Sequence, residues 1–333
     1  MTCTVSEEER AGWRALVLDN GELRVAVLPE KGGDVYELVD VASGVDVLFK
    51  APSGLRPPGS APLRGSGDTP FLAHYEGGWQ ELFPSVGSSC SYRGRAVPFH
   101  GEVAVRAWDA SVLSGRGSEA TVELVVRCET VPLVLRRTLR LSDGSRRLVV
   151  DEEVSNRSDQ ATELVWGHHL VLGAPFVEDG CRLDTPASVI VTPADLWEAT
   201  ARLAPGQRSR WPIALGAAGA AVDLRAIPGH GAASHDDVYL TGLSAGWASV
   251  DNRRLGLRVT LGFDPELFRW LVSWQPYGGA RAEPLAGSYG VGLEPWTTNL
   301  NLEDAVRAGD AVVVAGGAVL RTRLTVDLHQ IGG

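Results

Sequence analysis

The sequence predicts an all-β protein, a large antiparallel β-sandwich, and three observations predict it. Apolar residues recur with a period of two in one run after another, the mark of strands with one buried face. Turn signals rich in Gly, Asn, Asp and Ser separate the runs. Helical periodicity is scarce and too short to cover a parallel sheet, which argues against doubly wound and α/β-barrel folds and for sheets packed face to face.

In chain order, residues 1–15 are expected to form a loose or wrapping N-terminal segment. After Asn20-Gly21, Leu23, Val25 and Val27 alternate with Arg24 and Ala26, and Lys31-Gly32-Gly33 marks the next turn. The stretch Ala51–Asp68 is rich in Pro, Gly and Ser, long for a loop inside a compact domain, and is expected to be functional or partly mobile. Val122, Leu124, Val126 and Cys128 alternate with Glu123, Val125 and Arg127, and Ser142-Asp143-Gly144-Ser145 is a turn. A short helix is expected over Pro193–Arg202, with Thr192 as N-cap and Pro193 in the first helical position. Leu255 to Phe263 alternates again, Leu302–Ala308 reads as a second short helix, and after Gly316-Gly317 the residues Leu320, Thr322, Leu324 and Val326 form a last alternating run. No fixed-period repeat and no shift in composition breaks the chain, so residues 1–333 read as one domain.

Composition narrows the function. Hydrophobic residues make up 44% of the chain, enough for a large core and unlike a disordered sequence. The net charge of −10 and the absence of any Lys/Arg run argue against a nucleic-acid partner, which requires a basic stripe to neutralise phosphates. Cys3, Cys90, Cys128 and Cys181 lie far apart, with no metal-finger spacing, and read as reduced thiols. The N-terminus lacks the pattern of a signal peptide and no run of ~18 apolar residues occurs, so a cytoplasmic protein without a membrane partner is expected.

Four glycine-rich segments gather His, carboxylate and aromatic residues: Gly77-Gly78-Trp79-Gln80-Glu81-Leu82-Phe83-Pro84, Pro98-Phe99-His100-Gly101-Glu102, Trp166-Gly167-His168-His169-Leu170, and Gly292-Leu293-Glu294-Pro295-Trp296. Aromatic faces pack on the C–H face of a sugar while carboxylates and imidazoles bond its hydroxyls. Trp79, Glu81, Glu102, His168 and Trp296 are therefore candidate sugar-binding residues. On a strand His168 and His169 point to opposite faces, so at most one faces a given site. Glu294, between Leu293 and Pro295-Trp296, sits in an apolar setting that raises a carboxylate's pKa and suits it to proton transfer.

In their order and spacing, Leu82-Phe83-Pro84, His100-Gly101, His169-Leu170-Val171-Leu172 and Glu294-Pro295-Trp296 resemble the aldose 1-epimerase, or galactose mutarotase-like, superfamily, over residues 20–328. The resemblance implies the supersandwich fold and an isomerase that interconverts the α and β anomers of a monosaccharide without a cofactor. It implies Glu294 as general base, His169 as general acid with His168 the alternative, and His100 as a ligand of the ring or O-1 region. It also implies an Asp that holds sugar hydroxyls, matched by Asp236 or, second, Asp237. The sequence departs from the pattern at Ser85–Ser89, where many members carry an Arg, at Glu102, and at Leu170-Val171. The missing Arg argues against a sugar phosphate.

Two other readings use the same residues. His100, Glu102 and His168 or His169 make a ligand set for a metal-dependent sugar or sugar-acid isomerase or lyase. A non-catalytic carbohydrate-binding protein would keep the aromatics and lose the acid/base pair.

Overall fold

The structure, a computed structural model, describes residues 2–60, 69–195 and 199–332. Among the described residues half are strand and 6% are helix. Two antiparallel sheets dominate, one of 14 strands and one of 8. In the larger sheet, Trp79–Leu82, Gly167–Gly173, Glu294–Trp296, Trp270–Tyr277 and Ser234–Thr241 lie side by side in that order. The smaller sheet includes Glu119–Arg127, Leu133–Ser142, Arg147–Asn156, Val319–Gln330 and Leu257–Gly262.

One apolar cluster fills the space between the sheets. It joins Leu124, Leu139, Val150, Leu261 and Leu324 of the smaller sheet to Val25, Leu170, Leu240 and Leu271 of the larger. Each fully buried side chain of this size contributes ~1.5–3 kcal/mol. The period-two runs put these residues inward. In Leu133–Ser142 every odd position is buried, and Arg137 falls in that phase. In Arg147–Asn156 the even positions are buried, and Glu152 is one of them. Two of the expected turns touch: the Asn20 amide donates to the Ser142 and Ser145 carbonyls at 2.6 and 2.8 Å, pinning one hairpin of each sheet to the other.

Three expectations need revising. The N-terminal segment is not loose: Cys3–Arg10 is a strand of the large sheet, paired along its length with Trp13–Asp19 through the Ala11-Gly12 turn. The first part of the Pro/Gly/Ser-rich stretch is a cover. The Trp13 indole donates to the Arg56 carbonyl at 2.7 Å, and Leu55 packs on a small second cluster of Trp13, Ala15, Val17, Ala26 and Leu28. Residues 61–68 of that stretch lie outside the described residues, and the helix Thr69–His74 follows. Of the helix expected over 193–202, residues 196–198 also lie outside, and the rest is turn and irregular. The Thr192 hydroxyl does not cap; it donates to the Ala204 carbonyl at 2.8 Å and accepts from the Gln207 amide. The second helix is present as Leu302–Ala308, with Asn301 accepting from the Asp304 amide as its N-cap. No helix among the described residues is long and apolar enough to cross a membrane.

Candidate functional site

The central strands of the large sheet carry two sets of side chains. Register puts His169 opposite Gln80, His168 opposite Glu81, and Gly167 opposite both Leu82 and Trp296. Glu294 faces Val272 and Asp237 faces Trp274 across neighbouring strands. Alternation therefore sends His169, Glu294, Trp274, Asp237 and Tyr239 away from the second sheet. There they line a cavity of about 520 Å³ together with His100 and Trp296. The helix Thr69–His74 and the residue after it supply a further wall through Phe71, Leu72 and Tyr75.

His169 and Glu294 form the polar centre, with Nε2 of the imidazole 3.7 Å from Oε1 of the carboxyl. The carboxyl folds back over Gly292, where a Cβ would lie 2.4 Å from Oε1. Burial, aided by Asp237, pushes the Glu294 carboxyl well above the usual carboxylate range. Burial lowers His169 to about 4. Both shifts favour the uncharged forms, a carboxylic acid beside a neutral imidazole.

His100 reaches the cavity from a turn. Its backbone is left-handed, φ 61°, and the following Gly101 is too, φ 77°. A Cβ on Gly101 would meet the Phe83 carbonyl oxygen at 2.3 Å, so only glycine lets this turn dock on the Leu82-Phe83-Pro84 segment. The Gly87 amide donates to His100 Nδ1 at 3.1 Å. Accepting there leaves Nε2 to carry the proton of a neutral ring, and burial keeps that ring neutral, its pKa well below the ordinary value. Trp296 is held by its indole N–H, which donates to the His168 carbonyl at 3.2 Å.

The expected residues thus divide. His100, His169, Glu294 and Trp296 meet in the cavity, whereas Trp79, Glu81, His168, Glu102 and Asp236 do not. Trp79, Glu81 and His168 share the opposite phase of their strands and point into the space between the sheets. There Glu81 contacts His168 Nδ1 at 3.5 Å, and Glu152 contacts His168 Nε2 at 3.3 Å and Arg137 at 3.2 Å. The Trp166 indole donates to Glu81. Glu102 turns toward the neighbouring loop, accepting from the Glu129 and Thr130 amides at 2.8 and 2.9 Å and pairing with Arg106. Asp236 accepts from the Arg202 and Leu203 amides and from the Arg202 guanidinium, each at 3.0 Å, and so anchors that segment from the far face of its strand. The residue after it, Asp237, is the one in the cavity.

These placements also divide the metal-ligand set of the sequence reading, because Glu102 and His168 leave the cavity on different sides. Among the described residues one other trio has metal-ligand geometry: Glu81, Glu152 and His168, with ligand atoms within 4.8 Å of one another. Its chemistry does not suit a metal. Arg137 already supplies a cation between the carboxylates. The Trp79 indole donates to His168 Nδ1 at 3.3 Å, which leaves the proton on Nε2, the nitrogen facing Glu152.

Phe71, Tyr75, Tyr239 and Trp274 were not singled out from the sequence. The alternation of Trp270, Val272 and Trp274 was the signal available for one of them; nothing in the spacing around Phe71 and Tyr75 marks those two.

Residues 10–328 match the profile of a family described as a domain of unknown function, DUF4432. No curated protein is significantly similar to the chain in sequence. Among solved structures, a candidate aldose 1-epimerase from Klebsiella pneumoniae superposes with a TM-score of 0.71 at 15% identity, over 98% of this chain and 82% of its own. The Slr1438 protein from Synechocystis sp. gives 0.70 at 18% identity, over 97% of both chains. A galactose mutarotase-like protein from Clostridium acetobutylicum gives 0.66 at 18% identity, over 98% of both. Likeness at these identities shows the fold, and the fold is the one that the sequence resemblance implies.

Proposed function

The chain belongs to the DUF4432 family, and from the cavity that its fold builds we propose that it is an aldose 1-epimerase acting on a free monosaccharide. The observation that carries the reading is the His169–Glu294 pair, 3.7 Å apart in a cavity with aromatic walls, with His100 beside it at a ring-centroid distance of 5.5 Å from His169. Glu294 takes the proton of the C1 hydroxyl as the C1–O bond becomes a carbonyl. The bond from C1 to the ring oxygen breaks, and imidazolium at His169 protonates that oxygen. Rotation about C1–C2 and the reverse steps deliver the other anomer. His100 Nε2–H donates to the O-1 or ring-oxygen region throughout.

Burial pushes the Glu294 pKa up and the His169 pKa down, which favours the proton distribution that follows ring opening. Opening from the closed sugar needs the one shared proton to sit on His169. Closing starts with it on Glu294. Among the described residues no Lys or Arg lines the cavity to pair with a sugar phosphate.

Glu294→Gln and His169→Asn are each expected to lower kcat by ~10²-fold or more with the fold intact. The assay is polarimetry, or NMR of anomeric protons, on free aldoses and their phosphates in weak buffer. Activity is carried by the singly protonated pair. It should fall in acid as His169 gains a second proton near its lowered pKa of about 4, and in alkali as Glu294 loses the shared one. Native rates for Glu294→Gln refute the assignment. Sugar binding without turnover would favour a carbohydrate-binding protein.

A further inference from the structure

Trp274, a wall of the cavity, is held by a side chain that the acid/base chemistry does not use. His235 lies on the same face of its strand as Asp237 and Tyr239, two register pairs along from the Asp237–Trp274 pair. The Trp274 indole N–H donates to His235 Nε2 at 2.5 Å, and both residues are buried, at 6% and 2% exposure.

The other ring contacts of Trp274 are edges and tilts. Phe49 and Tyr75 meet it near the perpendicular, at 5.9 and 6.1 Å. His169 lies 5.8 Å away at 43°. The hydrogen bond adds a directional constraint at the edge of the indole that ring contacts do not supply. The plane of the indole decides where a ring stacked on it sits relative to His169 and Glu294.

We propose that His235 is a positioning residue: its hydrogen bond sets the plane of Trp274, against which the C–H face of the sugar packs, and thereby sets the affinity for the aldose. This rests on the reading that the cavity binds a sugar, and not on which group moves which proton.

The test uses the full chain with a panel of free hexoses and pentoses, bound affinities by calorimetry, and KM and kcat by polarimetry. His235→Leu is expected to raise Kd and KM about tenfold, with kcat at saturation within threefold and both limbs of the pH profile in place. His235→Gln, which keeps an acceptor at similar reach, should stay within about threefold of native. Trp274→Phe removes the donor and should weaken binding as His235→Leu does, and the double variant should bind no more weakly than Trp274→Phe alone. If His235→Leu fails to fold, the comparison of Trp274→Phe with and without His235→Gln carries the test, and a further loss from His235→Gln overturns the proposal. Native affinity in His235→Leu with a lowered Tm marks a purely structural residue and overturns it. So do losses that multiply in the double variant, or a native chain that binds no sugar in the panel. Binding without turnover leaves the proposal standing and removes the epimerase reading.

Discussion

Glu294 owes its position to a residue with no side chain. A Cβ at Gly292 would lie 2.4 Å from the Glu294 carboxyl and 3.0 Å from the Trp274 amide; the backbone there is not left-handed, so alanine crowds the carboxyl most and the neighbouring strand less. Gly292→Ala is expected to cut kcat about tenfold or more by displacing the carboxyl, while Tm changes by only a few degrees. Polarimetry and thermal melting read the two effects apart. The site residues legible in the sequence stood in segments that also carry a glycine or proline: His100 before Gly101, His169 two residues after Gly167, Glu294 before Pro295. Glycine stands where backbones crowd, and the cavity is walled by crowded backbone. Tyr75 and Trp274 carry no such mark, since an aromatic residue in a cavity wall and one in a core have the same sequence neighbours.

Strands set the phase of everything else, and here the sequence was ambiguous for a physical reason. Gly167–Gly173, Trp79–Leu82 and Glu294–Trp296 are buried at every position, because one face meets the second sheet and the other the cavity and its cover. With both faces dry, hydrophobic alternation cannot say which residues face which side. His168, Glu81 and Trp79 were singled out from their glycine-rich segments, and alternation offered no way to set them apart. The flanking strand Ser234–Thr241 poses the same question at Asp236 and Asp237, and paired variants answer it. Asp236→Ala should cost ~1–3 kcal/mol through the lost bonds to Arg202 and Leu203, seen as a lower urea midpoint. Asp237→Asn should leave the midpoint near native and move the alkaline limb of activity to lower pH, because Asp237 helps to hold the Glu294 pKa up. The alternating strands of the smaller sheet, solvated on one face, were legible without difficulty.

At the scale of the molecule, the space between the sheets holds charge as well as apolar side chains. Burial and the neighbouring Glu152 push Glu81 up to about 8, and burial raises Glu152 to about 7 despite Arg137. Burial lowers His168 to about 4. A carboxyl whose pKa is raised by folding contributes stability that is complete below its unfolded value and is lost as pH rises through the folded one. A histidine whose pKa is lowered contributes the opposite slope, losing stability as pH falls below its unfolded value. From pH 6.5 to past 8 the carboxyls prevail, and the unfolding free energy should decline. Glu152→Gln, which keeps the shape and removes one titrating proton, should make that decline shallower in urea melts at the two ends of the range. The order of the large sheet has a kinetic consequence. Its three central neighbours come from residues 79–82, 167–173 and 294–296, so the chain must close loops of roughly a hundred residues before His169 meets Glu294. Pairings so distant along the chain form late and slowly. No hairpin and no fragment contains the cavity; during refolding, sugar turnover should return only with the slowest phase that restores the native sheet, after most of the strand signal in circular dichroism has recovered.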